Sequence, residues 1–133
     1  MRKKSPLKNS TKKLLRKSMN RCEKSMKEAV RRRDKKCQVC GSTRRLQVDH
    51  FISRRNKATY YDINNLTLLC SRCHYFKSFG YQDYDMKVAD VVFLREGVDV
   101  VDELRKKART IKKWEISELE TLIETYDKLW RQS

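Results

Sequence analysis

Four of the five cysteines fall in two CxxC pairs, Cys37/Cys40 and Cys70/Cys73, with 29 residues between them. Nothing else in the chain limits its fold as tightly. Thiolates are soft ligands, and zinc accepts four of them in a tetrahedron without geometric penalty. The spacing predicts one zinc site with four cysteine ligands. A closed four-thiolate site has no open coordination position, so its zinc is structural and not catalytic. It stands in for the hydrophobic core that the 44 residues from 37 to 80 are too few to build. Cys22 lies apart, inside a stripe of Leu15, Met19, Met26 and Ala29/Val30 at helical spacing, and reads as a small buried hydrophobe.

The chain has 133 residues, which suits one compact unit with helical arms. Lys and Arg number 33 against 17 Asp and Glu, a net charge of +16. Residues 1–36 hold +13 of this, residues 37–80 hold +5, and residues 81–133 hold −2. The excess suits a polyanion, with nucleic acid ahead of an anionic membrane surface. The mean hydropathy of −0.87 and the lack of any run near the ~18 apolar residues of a span exclude a membrane-crossing chain. The basic N-terminus lacks the apolar stretch of ~7–15 residues of a secretory signal, so reduced thiols are expected, not disulfides.

Four segments follow. Residues 1–10 read as a disordered basic tail, and residues 11–36 as a basic amphipathic helix. Residues 37–80 form the zinc-bearing core. Within it, Gly41-Ser42-Thr43 is a turn, Leu46–Val48 a strand ending at Asp49-His50, Ser53–Tyr61 a basic loop, Asn65–Leu69 a second apolar run and Ser71–Ser78 a helix. Residues 81–133 are helical: Met86–Glu96 stopped by Gly97, then Val98–Thr110, then a helix opened by a capping box at Ser117–Glu120. Trp114 and Trp130 read as core residues.

A second constellation lies between the zinc ligands. Both histidines of the chain are there: His50, after Asp49, and His74, directly after Cys73, with Asn65 between. Successive helical residues turn by ~100°, so with Cys73 on the zinc, His74 faces elsewhere. Neighbouring strand residues point to opposite faces, so Asp49 and His50 share a site only where the strand ends or bends.

These residues resemble the HNH endonuclease pattern: Cys37xxCys40, Val48-Asp49-His50-Phe51, then Asn65-Leu66-Thr67-Leu68-Leu69-Cys70xxCys73-His74. The resemblance implies an α+β, mostly α chain with a zinc-stabilised, treble-clef-like ββα-metal core. It implies His50 as general base, Asp49 and His74 as ligands of a catalytic Mg²⁺ or Mn²⁺, and Asn65 as the residue tying down the loop that orients His50. Ni²⁺ or Zn²⁺ are further options for a site containing His. His50 is expected near its ordinary pKa, able to take a proton from water. Arg31, Arg32, Arg33, Arg54, Arg55, Lys57 and Lys77 are the expected DNA-binding residues.

The flanks narrow the likeness. Val30–Asp34, Gly97–Leu104, Lys113–Ile116 and Tyr126–Leu129 resemble the phage lambda NinG (Rap) family of recombination endonucleases. That resemblance implies branched DNA, such as Holliday junctions and D-loops, as substrate. This sequence has Asp49-His50 where that family commonly has Gly-His, and His74 where it commonly has Asn; the family's N-terminal extension has no counterpart. The alternatives are a sequence-directed or nicking HNH nuclease and a non-catalytic zinc module binding nucleic acid. A homodimer through the Leu15–Val30 stripe is expected, with packing of that stripe on the C-terminal helices as the alternative. The expected location is the cytoplasm, of the host bacterium for a phage-encoded chain.

Overall fold

The computed structural model describes residues 6–131. Five helices and a two-stranded sheet follow in the order α1 (Pro6–Asp34), β1 (Leu46–His50), β2 (Leu66–Cys70), α2 (Ser71–Ser78), α3 (Gln82–Glu96), α4 (Val98–Ala108) and α5 (Ile116–Arg131). One 3₁₀ turn, Ile63–Asn65, leads into β2. The chain is α+β and mostly helical. Among the described residues no helix is long and apolar enough to cross a membrane.

Helix α1 begins at Pro6, inside the segment read as a disordered tail; residues 1–5 of that segment lie outside the described residues. Its apolar stripe decides its place. Cys22, Met26, Ala29 and Val30 are buried with Leu66 and Leu68 of β2 and with Leu119, Ile123 and Tyr126 of α5. Helix α5 lies along α1. Ser25 donates through its hydroxyl to Asp127, and Tyr126 donates to the Tyr61 carbonyl. The stripe offered as a dimer seam is therefore covered within the chain. A helix with one apolar face buries it against the nearest complementary face, and α5 supplies that face. Trp114 and Trp130 pack at the margin of this core.

The strands are antiparallel, with Val48 opposite Leu68, Asp49 opposite Thr67 and His50 opposite Leu66. All five residues of β2 are buried. Their alternation divides the interior. Leu66 and Leu68 face α1 and α5, while Leu69 joins Cys37, Cys70, Cys73 and Val88 in a second cluster around the cysteines. Strand β1 ends at Asp49-His50, where the sequence pattern places its end.

Behind β2 a charged knot binds the layers. Arg33 donates to the Ile63 and Leu66 carbonyls at 2.9 and 2.6 Å and to Asp34. Asp34 accepts from the Leu68 N–H at 2.9 Å. Arg95 of α3 reaches the Thr67 hydroxyl and the Asn64 carbonyl, both at 3.1 Å.

Helix α3 starts one turn before the expected Met86, and Gly97, at φ +86°, ends it and opens α4. That left-handed φ suits glycine, which has no Cβ to clash. The cap of α5 is shifted by two residues from the expected box. Glu118 reaches back to accept from the Glu115 N–H at 3.1 Å, satisfying an otherwise orphan donor of the first turn.

Candidate active site

The four cysteine Sγ atoms lie within 4.8 Å of one another, and Cys40 and Cys70 are 3.6 Å apart. With Zn–S bonds of ~2.3 Å, tetrahedral thiolates sit a little under 4 Å apart, so the donor set fits one zinc ion. Two local turns make this possible. In each CxxC the N–H of the second cysteine points at the first sulfur, Cys40 to Cys37 and Cys73 to Cys70, both at 3.5 Å. Gly41, at φ +79°, allows the chain to double back so that the Cys37 N–H donates to the Ser42 carbonyl at 2.8 Å. Cys70 also caps α2, so the cysteine cluster sets where that helix begins.

Strand β1 pairs with β2 on one side only, and its other edge is open among the described residues. A cleft of about 890 Å³ runs along that edge. Glu23, Lys27 and Arg31 of α1 line one wall, and His74, Lys77 and Ser78 of α2 line the other. Ser53, Arg54, Arg55 and Tyr60 close one end. This geometry resolves the alternation of Asp49 and His50. They point to opposite faces of β1, yet both border a cleft that opens along the strand's edge at its end.

His50 is held by the loop that follows it. Its Nε2 lies 3.1 Å from the Tyr60 carbonyl, and its ring packs on Tyr60 with centroids 4.7 Å apart. A carbonyl only accepts, so Nε2 carries the proton and Nδ1 is left as the basic nitrogen. Burial pushes the His50 pKa down to about 4, with the nearby Arg54 and Lys77 charges adding to the effect against the Tyr60 hydrogen bond. This corrects the expectation of a near-ordinary pKa. The imidazole is neutral and ready to accept a proton, but weakly basic.

Asn65 is fully buried and makes three side-chain bonds to the His50–Tyr60 loop. Its Oδ1 accepts from the Ile52 N–H at 2.6 Å, and its Nδ2 donates to the Ile52 and Thr59 carbonyls at 3.2 Å each. The Asn65 carbonyl also accepts from the Phe51 N–H at 2.8 Å. The loop bearing Tyr60 is thereby pinned on both sides of its course.

Asp49 is buried, and its Oδ1 lies 3.7 Å from Nε2 of His74. Neighbouring positions of an octahedral Mg²⁺ with bonds of ~2.1 Å lie about 3 Å apart, so this pair stands wider than that geometry and would have to close to hold the ion. Lys77 occupies the same neighbourhood. Its ammonium is 2.9 Å from both Asp49 oxygens and from the His50 carbonyl. Burial raises the Asp49 pKa, and the Lys77 charge opposes that rise.

The expected DNA-binding residues divide accordingly. Arg31, Arg54 and Arg55 line the cleft, and Lys57 stands near it over the Tyr60 ring at 5.7 Å. Arg32 is turned to α5, where it donates to the Trp130 carbonyl at 3.3 Å. Arg33 belongs to the knot behind β2, and Lys77 to Asp49. Arg33 thus uses its charge within the fold, whereas Arg32 keeps an exposed side chain and Lys77 lines the cleft while it pairs with Asp49. Glu23 and Lys27 also line the cleft, although the sequence pattern does not mark them as site residues. Their positions beside Cys22 and Met26 put them at the edge of the buried stripe, which is the one signal that could have found them.

Neither a curated protein nor a solved structure matches the chain. One family model does, that of the HNH endonucleases, over residues 37–79, the stretch that holds every cysteine of the zinc site and both histidines of the cleft. Residues 37–79 thus make up an HNH endonuclease domain, set between a basic helix and a helical C-terminal region.

Proposed function

We propose that the protein is a metal-dependent DNA endonuclease that hydrolyses phosphodiester bonds, with His50 as general base. The observation that supports this most is the 3.1 Å contact between His50 Nε2 and the Tyr60 carbonyl, which leaves Nδ1 as the basic nitrogen in a residue that borders the same cleft as Asp49 and His74. Nδ1 takes the proton from the attacking water. A phosphodiester entering the cleft brings negative charge beside the imidazole, which raises its basicity from the low value of the empty cleft. Asp49 and His74 are the residues to hold a divalent cation such as Mg²⁺ or Mn²⁺, which when bound stabilises charge on the phosphate and the departing 3′-oxygen. Arg31, Lys27, Arg54 and Arg55 bind neighbouring phosphates. Asn65 is a positioning residue that keeps Tyr60, and through it His50, in place.

Branched recombination intermediates are the substrate class we favour, on the resemblance of the flanking segments to the NinG (Rap) family and on the basic α1 beside the cleft. Phosphates of several arms converge at a junction, and a dense basic helix meets more of them there than on one duplex. A cleavage panel of four-way junctions, D-loops and linear duplexes, run with Mg²⁺, Mn²⁺, Ni²⁺ and Zn²⁺, tests both statements. Cutting of junctions ahead of duplexes is expected. Cutting of one duplex sequence would favour a sequence-directed enzyme. The Lys77 ammonium across Asp49 favours a second reading, a DNA-binding module without catalysis, and absence of cutting with every cation would establish it.

A further inference from the structure

Five of the chain's twelve aromatic residues fall between positions 75 and 84. They are layered. Phe76 is flanked by Tyr84 and Tyr81 with ring centroids 5.0 and 5.2 Å away, and the Arg72 guanidinium lies over it at 5.7 Å. Outside this layer stand Tyr75 and Phe79, which are 54 and 67% exposed. Tyr75 and Phe79 pack on each other with centroids 4.4 Å apart. Their outer faces are left uncovered by the described fold, yet neighbouring rings hold them firmly.

Their position relates them to the cleft. His74 and Ser78 form one stripe of α2 and line the cleft; Tyr75 and Phe79 form the next stripe, turned by ~100°. A strand leaving the cleft over α2 meets these rings next. The chain's net charge of +16 opposes docking of a second copy and favours a polyanion. Nucleobases stack on aromatic faces whatever their sequence, but only when they are unpaired. We propose that Tyr75 and Phe79 form a stacking platform for unpaired nucleotides of the bound DNA, on the rim of the nuclease cleft. This rests on the nuclease reading for the identity of the polymer. It also supplies a means of preferring branched over continuous duplex, since branch points expose unstacked bases.

The test uses the full chain carrying zinc and His50→Ala, which prevents cutting during binding. Affinities are measured by fluorescence anisotropy for a matched duplex and for the same duplex with a short unpaired thymine flap. Adding Phe79→Ala should weaken flap binding roughly tenfold, within the range for losing one base–aromatic stack, and leave duplex binding within about twofold. Phe79→Trp should retain flap binding. Tyr75→Ala should act like Phe79→Ala and replaces it if that variant melts early. A flap containing 2-aminopurine should be quenched by the parent and not by the Ala variants. Equal losses on flap and duplex, or none, would overturn the platform while leaving the nuclease reading intact. Loss only of self-association in sedimentation would assign the rings to a second copy and overturn it too. Failure to bind either DNA would sink both readings together.

Discussion

Replacing Asn65 by Ala isolates the loop that holds the base. Asn65 makes three side-chain hydrogen bonds, two to Ile52 and one to Thr59. Thr59 is fully buried, but its carbonyl keeps the Asp62 N–H at 3.2 Å, so losing the Asn65 amide costs about 0.5–1.5 kcal/mol. Ile52 is half-buried, and its N–H and carbonyl lose about 0.5–1.5 kcal/mol each as water substitutes in part. The total, about 1.5–4.5 kcal/mol, is a large share of the ~5–15 kcal/mol of an ordinary domain. A chain of this length loses roughly 3–5 °C of Tm per kcal/mol, so a fall of about 10 °C is expected. The catalytic effect is separate. Tyr60 closes the same loop and holds His50 Nε2, and a displacement of about 1 Å at a reacting group is worth ~10²-fold in rate. Thermal unfolding of the zinc-loaded protein and single-turnover cleavage of a junction, well below the variant's Tm, read the two effects apart. Asn65→Asp sharpens the test, because it keeps an acceptor for Ile52 N–H but turns the donor toward two carbonyls into a third acceptor. It should be at least as damaging as Ala. A variant that melts early but cleaves at the wild-type rate would refute the link between this clamp and His50.

Five further outcomes are expected. Cys73→Ser, or stripping zinc with a chelator, should abolish the cooperative melt of residues 37–80 and not merely slow cleavage, because zinc binding is folding energy in so small a unit; a native melt without zinc would contradict this. His50→Ala should lose at least ~100-fold in cleavage with fold and DNA affinity kept. Since the folded pKa of His50 is about 4 against 6.5 for an ordinary histidine, the unfolded chain takes up the proton first as pH falls. Its contribution to stability is complete above 6.5 and declines from there toward 4, and kcat/KM should stay level from pH 8 to about 5; a half-fall near 6.5 would exclude that assignment. Lys77→Met leaves Asp49 buried without its cation, so the variant should melt early by ~3 kcal/mol and be rescued by Mn²⁺ at concentrations that do not stabilise wild type; identical Mn²⁺ dependence in a thermal-shift titration would refute the competition. Lys27→Gln with Arg31→Gln should lower the salt slope of log K by about 0.9 for each phosphate no longer neutralised, whereas an unchanged slope would move DNA off this wall. Neutralising charges is the appropriate probe of α1, because truncating it would remove Cys22, Met26 and Val30 from the core.

The elements of the centre were legible because their causes are local. A CxxC turn needs only four residues, and helix α2 was readable to its ends, Ser71 and Ser78, because the cysteine before it caps it. The buried stripe of α1 was legible as a stripe, but its partner was not: a 3.6-residue period says that a face is apolar, not whether α5 or a second chain covers it. The same limit applies to the basic residues. Arg31, Arg32 and Arg33 are consecutive and chemically alike, yet one lines the cleft, one reaches α5 and one lies against the carbonyls of Ile63 and Leu66. Helix rotation turns each by ~100°, and only the packed neighbours decide what each meets.

By itself, then, the sequence determined the four-cysteine ligand set, the order of strand, strand and helix, and the presence of an acid, two histidines and an amide in the zinc-bearing segment. Ligand softness, alternation and helical period are properties of short stretches, and they survive in any fold that uses them. Tertiary structure decided that β1 is an open edge, so that Asp49 and His50 share a cleft from opposite faces, and that Lys77 meets Asp49. It also decided that His50 is a weak base, because its pKa is set by burial and by the charges of Arg54 and Lys77 around it, and these come from segments that the chain brings together only on folding.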